Sequence, residues 1–148
     1  MRLVLLFPIN NITFLILLRM KDSELIEKAK KARKRAYAPY SKFKVGAALL
    51  TKGGKVYTGA NVENATLGLT VCAERVALFK AITSGEKNFV KLAVVADKDE
   101  PITPCGACRQ VLSEFVSDLK IICANLEGKT VKYSLRELLP EAFVKLDR

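Results

Sequence analysis

Four cysteines occur in the chain, Cys72, Cys105, Cys108 and Cys123, and only Gly106 and Ala107 separate the second from the third. A C-x-x-C of this kind is a common metal-ligand spacing. Glu74 follows Cys72 by two residues, with Arg75 directly after it. Zinc held by three protein ligands keeps a position for water and can be catalytic, whereas four ligands close the site and make it structural. No histidine is present, so imidazole ligands, imidazole bases and Ser-His-Asp triads are excluded. Cys123 is then the one thiol left to close the site, but it lies in the apolar run Lys120-Ile-Ile-Cys-Ala-Asn125, where a buried core thiol is the ordinary outcome. Water is the expected fourth ligand. Beside it, Glu74 becomes a general base; on a solvent-facing first turn the same carboxylate would be unremarkable. Two disulfides are the alternative use of the four thiols in a secreted protein, and a reducing cytosol would leave them free.

Such a site needs elements that bring Cys72 to the other pair. Residues 72–83 carry Val76, Ala77, Phe79 and Ile82 at helical spacing, and residues 106–115 carry Val111, Leu112 and Phe115 on one side. Both cysteine motifs therefore stand where a loop enters a helix, and helix N-termini favour thiolate over thiol. Three thiolates around Zn2+ leave a net negative charge, which Arg75 or Arg109 could offset. Elsewhere the sequence predicts a helix over 22–36 capped by Ser23 and ended by Ala38-Pro39-Tyr40-Ser41. A hairpin over 43–50 and 55–61 follows, turning at Lys52-Gly53-Gly54. Strands are expected at 92–96, 119–124 and 130–133, and a last helix over 135–143 is interrupted at Pro140. The order α-β-β-α-β-α-β-β-α implies an α/β fold, a three-layer αβα sandwich around a five-stranded mixed sheet.

With 148 residues, half of them hydrophobic, the chain has the size of one domain with a real core. Its formal charge of +10 is partly concentrated in Lys28, Lys30, Lys31, Arg33, Lys34 and Arg35. Leu25, Ile26, Ala29, Ala32 and Ala36 alternate with them at helical spacing, so the run reads as a solvated helix face, and no nucleic-acid partner is expected. The first nineteen residues, MRLVLLFPINNITFLILLR, raise the question of a signal or anchor. Pro8, Asn10 and Asn11 break the apolar run, no small-x-small site follows, and Met20 offers a second start. The expectation is a mis-assigned start or disordered extension at 1–19, a working domain at 20–148, no membrane span and a cytoplasmic location.

Asn61-Val-Glu63-Asn64, Thr70-Val-Cys72-Ala-Glu74-Arg75 and Pro104-Cys105-Gly-Ala-Cys108-Arg109-Gln110, with Tyr37-Ala-Pro-Tyr-Ser-Lys-Phe43 and Gly46-Ala-Ala-Leu, together resemble the small homotetrameric cytidine deaminases over about residues 22–143. The resemblance implies hydrolytic deamination of cytidine and deoxycytidine to uridine and deoxyuridine with release of ammonia, a step of pyrimidine salvage. It implies zinc on Cys72, Cys105 and Cys108, with Glu74 as proton shuttle. It further implies ribose contacts from Asn61 and Glu63, a pyrimidine contact from Phe43, a substrate contact from Ala73, and a homotetramer in which Phe143 reaches into a neighbouring pocket. The residue types agree, since an amide and a carboxylate can grip a sugar and a ring offers a stacking face. Asn61 and Glu63 would equally serve as turn and surface residues, and Phe43 as strand core. Leu67 stands where relatives often have Tyr, and Glu141 where Gly is common, which bears on the intersubunit wall. Two alternatives share the zinc elements: a deaminase of another aminonucleoside, and a non-catalytic zinc-stabilised module that would need Cys123 as a fourth ligand.

Overall fold

A computed structural model describes residues 20–145; the extension at 1–19 and residues 146–148 lie outside the described residues. Helix α1 (Asp22–Arg33) buries Leu25 and Ala29, one turn apart on a single face. It starts earlier than a Ser23 cap predicts. Lys21 is the N-cap, its own N–H donates to Glu24 Oε2 at 3.1 Å, and Ser23 falls inside the first turn. It also ends earlier, because the chain after Ala36 is drawn into a bridge with Val62: Tyr37 N–H donates to the Asn61 carbonyl at 2.9 Å and its carbonyl accepts from Glu63 N–H at 2.8 Å.

Strands β1 (Val45–Thr51) and β2 (Val56–Ala60) form the expected hairpin, and a 3-10 turn at Leu67–Leu69 leads to α2 (Ala73–Thr83). Strand β3 (Phe89–Ala96), α3 (Gly106–Phe115), β4 (Lys120–Asn125), β5 (Thr130–Ser134) and α4 (Leu135–Leu138) complete the fold. The sheet has five strands in the order β2-β1-β3-β4-β5, with β3 and β4 parallel and the other pairs antiparallel. The parallel pair follows from the α3 crossover, the antiparallel pairs from short turns or a return across the sheet. Ala47, Leu49, Leu92, Val94, Ile121 and Cys123 face α2, α3 and α4, while Ala48, Leu50, Ala93, Val95, Ile122 and Ala124 face α1. The three central strands are thus buried on both faces, which is why they read as continuous apolar runs. This is the mixed-sheet αβα sandwich expected from the sequence.

Two glycines set how close the layers lie. A Cβ on Gly46 would fall 2.0 Å from the Ala29 carbonyl oxygen, and one on Gly59 would fall 2.4 Å from the Ala73 carbonyl oxygen and 2.5 Å from Ala77 N. Gly46 admits α1 on one face, and Gly59 admits the first turn of α2 on the other. Two boundaries differ from expectation for visible reasons. β3 begins at Phe89 rather than 92, with Lys91 inside the strand sending its ammonium 3.0 Å to Asp22 of α1. α4 has the capping pair Ser134 and Glu137 but stops at Leu138, because Leu139 precedes Pro140 and leaves the helical region at φ −142°, ψ 72°. Among the described residues no helix is long and apolar enough to cross a membrane.

Candidate active site

Cys72 is the N-cap of α2, Cys105 is the N-cap of α3, and Cys108 sits in the first turn of α3. The two helices thus point their N-terminal ends at one spot, and the three sulfurs lie within 4.8 Å of one another. Cys72 Sγ and Cys105 Sγ are 3.8 Å apart. Tetrahedral zinc with metal–sulfur bonds of about 2.3 Å requires sulfurs about 3.8 Å apart, so the donor set fits zinc in type and spacing. Cys123 is not in this cluster: it is fully buried in the core on β4, where burial, and then the charge of Glu74, push its thiol up to about 12. A site closed by four thiols is therefore not what the chain builds.

Charge within the cluster is uneven. The hydrogen bond from Cys108 pulls the Cys72 thiol down to about 5 against the cost of burial, and the Arg75 guanidinium helps. The same sharing, with burial, raises Cys108. Arg75 Nη2 lies 3.5 Å from Cys72 Sγ and 3.4 Å from the Thr70 carbonyl, while its buried Nε has no hydrogen-bond partner. Of the two arginines the sequence offered as counter-charges, this is the one that reaches a sulfur. Arg109 instead spans Pro104 O at 2.7 Å, Thr103 Oγ1 at 2.8 Å and Leu138 O at 2.9 Å. It braces the loop before Cys105 against the end of α4.

Glu74, the second residue of α2, is only 4% exposed, and its Oε2 accepts from Cys108 Sγ at 3.6 Å. Burial raises its carboxyl to about 7; the negative charge on Cys72 adds to the rise, while backbone and Cys108 hydrogen bonds and Arg75 oppose it. A carboxyl tuned this way can both take and give a proton near neutrality.

Above these groups lies a cavity of about 260 Å³, sized for one small molecule. Phe43, Asn61, Glu63 and Ala73 all line it together with Cys72, Glu74 and Cys105. A larger cleft of about 560 Å³ opens at the other end of β3 and β4, between Phe89, Lys120 and Lys132, and carries no cysteine. Asn61 and Glu63 are not loose surface residues. Asn61 Oδ1 accepts from Val45 N–H at 2.8 Å and its Nδ2 donates to Phe43 O at 2.8 Å, which leaves one N–H and one lone pair. Glu63 Oε1 accepts from Tyr40 N–H at 3.1 Å and Ser41 N–H at 3.2 Å. Burial works against its charge, but the bonds from Ser41 and Tyr40 outweigh that and hold the carboxyl below its usual range. The turn so gripped includes Lys42 in the left-handed region at φ 59°. Phe43 stands outside β1 rather than in the strand core, and Lys98 Nζ lies 5.5 Å from its ring centroid.

Arg75 and Phe143 do not line the cavity; Arg75 stands at Cys72 and Phe143 lies on the C-terminal segment, 69% exposed. Sequence reasoning passed over Ser41, Val45, Thr70, Ile102 and Thr103, which share the lining. It also passed over Asn125, a buried residue at the end of β4 whose Nδ2 donates to Asp99 O at 2.9 Å and so holds the loop that leads to Cys105. The available signal was Asn125 placed just before the Gly128 turn, whose Glu127 and Lys129 amides its Oδ1 accepts at 3.0 and 2.8 Å.

The model of the family described as "Cytidine and deoxycytidylate deaminase zinc-binding region" matches residues 19–124. A cytidine deaminase of Halalkalibacterium halodurans is 54% identical over 129 residues, which are 86% of this chain and 98% of that protein. The crystal structure of cytidine deaminase from Burkholderia pseudomallei superposes with a TM-score of 0.82 at 52% identity, covering 84% of this chain and 100% of that one. A blasticidin-S deaminase of Bacillus cereus is more distant, 32% identical over 133 residues, 84% of this chain and 94% of that protein. The extent of these matches and the cavity they coincide with lead to one assignment: the chain belongs to the cytidine and deoxycytidylate deaminase family.

Proposed function

We propose that this protein is a zinc-dependent cytidine deaminase, converting cytidine and deoxycytidine to uridine and deoxyuridine with release of ammonia. The observation that carries the reading is a buried Glu74, tuned toward neutrality, beside three converging thiols, two of which line a small cavity with it. Cys72, Cys105 and Cys108 would hold the metal. Zinc bound there would supply the Lewis acidity that makes water a nucleophile at neutral pH. Glu74 takes a proton from the attacking water and delivers it to the ring nitrogen N3, which makes C4 electrophilic. After oxygen adds to C4, Glu74 takes the remaining proton from the C4 hydroxyl and passes it to the exocyclic amino group, and ammonia leaves as the C4 carbonyl forms.

Asn61 and Glu63 hold the ribose hydroxyls through the capacity left over from their backbone bonds. Phe43 packs on the pyrimidine, and Ala73 offers a first-turn amide, which has no partner within its helix. Arg75 offsets the thiolate charge. The catalytic domain is residues 20–148, the working form is a homotetramer, and the exposed Leu67, Leu69, Phe143 and Val144 support an intersubunit contact. Phe143 completes the pocket of a neighbouring subunit. Free thiols at the metal site suit a reducing cytoplasm, where the reaction serves pyrimidine salvage. No step calls on nucleic acid or membrane.

An ultraviolet assay with cytidine, deoxycytidine and cytosine, run beside a zinc determination, tests this. The expected result is conversion of both nucleosides but not the free base, with about one zinc per chain. Zinc without turnover on any of the three would overturn it.

A further inference from the structure

The C-terminal segment is fastened to the helix that carries Cys108 by one side chain. Gln110 Nε2 donates to the Phe143 carbonyl at 2.9 Å, and Gln110 Oε1 accepts from Phe143 N–H at 3.1 Å. Among the described residues these are the only hydrogen bonds made by residues 140–145. A carboxamide that meets both the N–H and the C=O of one residue acts as a short piece of strand pairing. It fixes that residue's peptide planes, and with them the direction in which its side chain leaves the backbone. Gln110 follows Cys108 by two residues on α3, so the direction is set relative to the metal-bearing turn. One residue earlier, Arg109 fastens Leu138 O to Thr103 and Pro104. The segment is thus held at both ends.

What this anchoring presents is apolar. Phe143 is 69% and Val144 70% exposed although the backbone between them and α3 is pinned. Fixing a backbone costs conformational entropy, and here the cost is met without burying the ring. The arrangement makes sense if the ring is meant for another surface and is being aimed at it. We propose that Gln110 is a positioning residue: it orients Phe143 relative to the metal-bearing helix so that the ring enters a neighbouring subunit's pocket in one fixed pose. This rests on the reading that Phe143 completes that pocket.

The test compares the full chain with Gln110→Ala, Phe143→Ala and the double variant. kcat and KM for cytidine, zinc content and assembly size by light scattering are measured for each. Losing two neutral hydrogen bonds to one backbone should raise KM about three- to tenfold. kcat, zinc and assembly size should hold, because Gln110 belongs neither to the thiol cluster nor to the cavity lining. Gln110→Glu, which keeps the acceptor and loses the donor, should fall between wild type and alanine. In the Phe143→Ala background Gln110→Ala should raise KM no further. A loss in kcat at unchanged KM, KM effects that multiply in the double variant, or dissociation of the assembly would overturn the proposal. If Phe143→Ala raises KM and Gln110→Ala does not, Gln110 is not the positioning residue while the pocket reading stands. If Phe143→Ala leaves KM unchanged, the pocket reading falls and the positioning role falls with it.

Discussion

Two clusters of charge lie on opposite faces of the sheet and are built on opposite plans. Under α1, Asp22 receives Lys91 at 3.0 Å, Lys120 at 2.8 Å and Lys132 at 2.8 Å. Under α2 and α3, three thiols and the Glu74 carboxyl gather beside one guanidinium, that of Arg75, which reaches Cys72. In the first cluster the acid has cations to spare. Burial alone would raise its pKa, but the hydrogen bonds from Lys120, Lys132 and Lys91 outweigh it and hold Asp22 well below the carboxylate range. In the second, acids outnumber cations, and burial of Glu74 itself raises its carboxyl to about 7. Over-supplied charge docks a helix on strands. Under-supplied charge leaves groups ready to exchange protons or accept a metal, and that imbalance separates a reactive site from a structural one.

The contrast can be broken at several points. Glu74→Gln should keep zinc and lower kcat by about 10³-fold or more, since it removes the proton carrier and leaves the thiols intact; kcat beside zinc content checks this, and normal turnover in a zinc-loaded variant would refute the role. Cys105→Ala should lose the metal and lower the melting temperature, because the cluster joins two helix ends; metal analysis and calorimetry with and without chelator are the readouts.

Asp22→Asn should leave kcat unchanged and cost about 1–2 kcal/mol at pH 7. The sign is fixed by the depressed folded-state pKa. Its stabilisation is fully present above the unfolded value of about 3.9 and is lost as pH falls from there through the depressed folded-state value, so the gap between variant and wild type in denaturant titrations should narrow progressively as pH is lowered below about 4. The smallest effect belongs to Lys98→Ala, which removes a cation from the Phe43 ring. It should raise KM for cytidine about twofold with kcat unchanged.

How much of this was legible in the sequence depended on whether the signal was local. Helix α3 was readable at its stated ends because its apolar stripe, its cysteine N-cap and the break after Phe115 all lie within one short segment. The αβα order was readable for the same reason. The stop of α4 was signalled locally by Pro140, one turn before the end expected at 143, whereas the end of α1 was not legible, since it is set by pairing with Val62 far along the chain. Lys91 hid the start of β3, because a lysine inside a buried strand makes sense only once Asp22 is seen opposite it. At the site, the three thiols and Glu74 were legible from type and spacing. The division of labour between Arg75 and Arg109 was not, as both stand within three residues of a cysteine and only the fold shows which one turns toward sulfur. The same holds for Asn61 and Glu63, whose grip on residues 40–45 depends on where β2 hands over to the loop after it.

Gly59 gives the metal centre a mechanical tolerance. It has no functional group, yet the carbonyl of Ala73, the residue after Cys72, lies where its missing methyl would be. Any side chain there would act as a shim between sheet and helix, lifting the first turn of α2 and carrying one thiol away from the pair on α3. The closeness of the sulfurs is therefore gauged on a strand that carries none of them, and a substitution as mild as Gly59→Ala should register first as weaker zinc affinity, in a protein whose ligands are all intact.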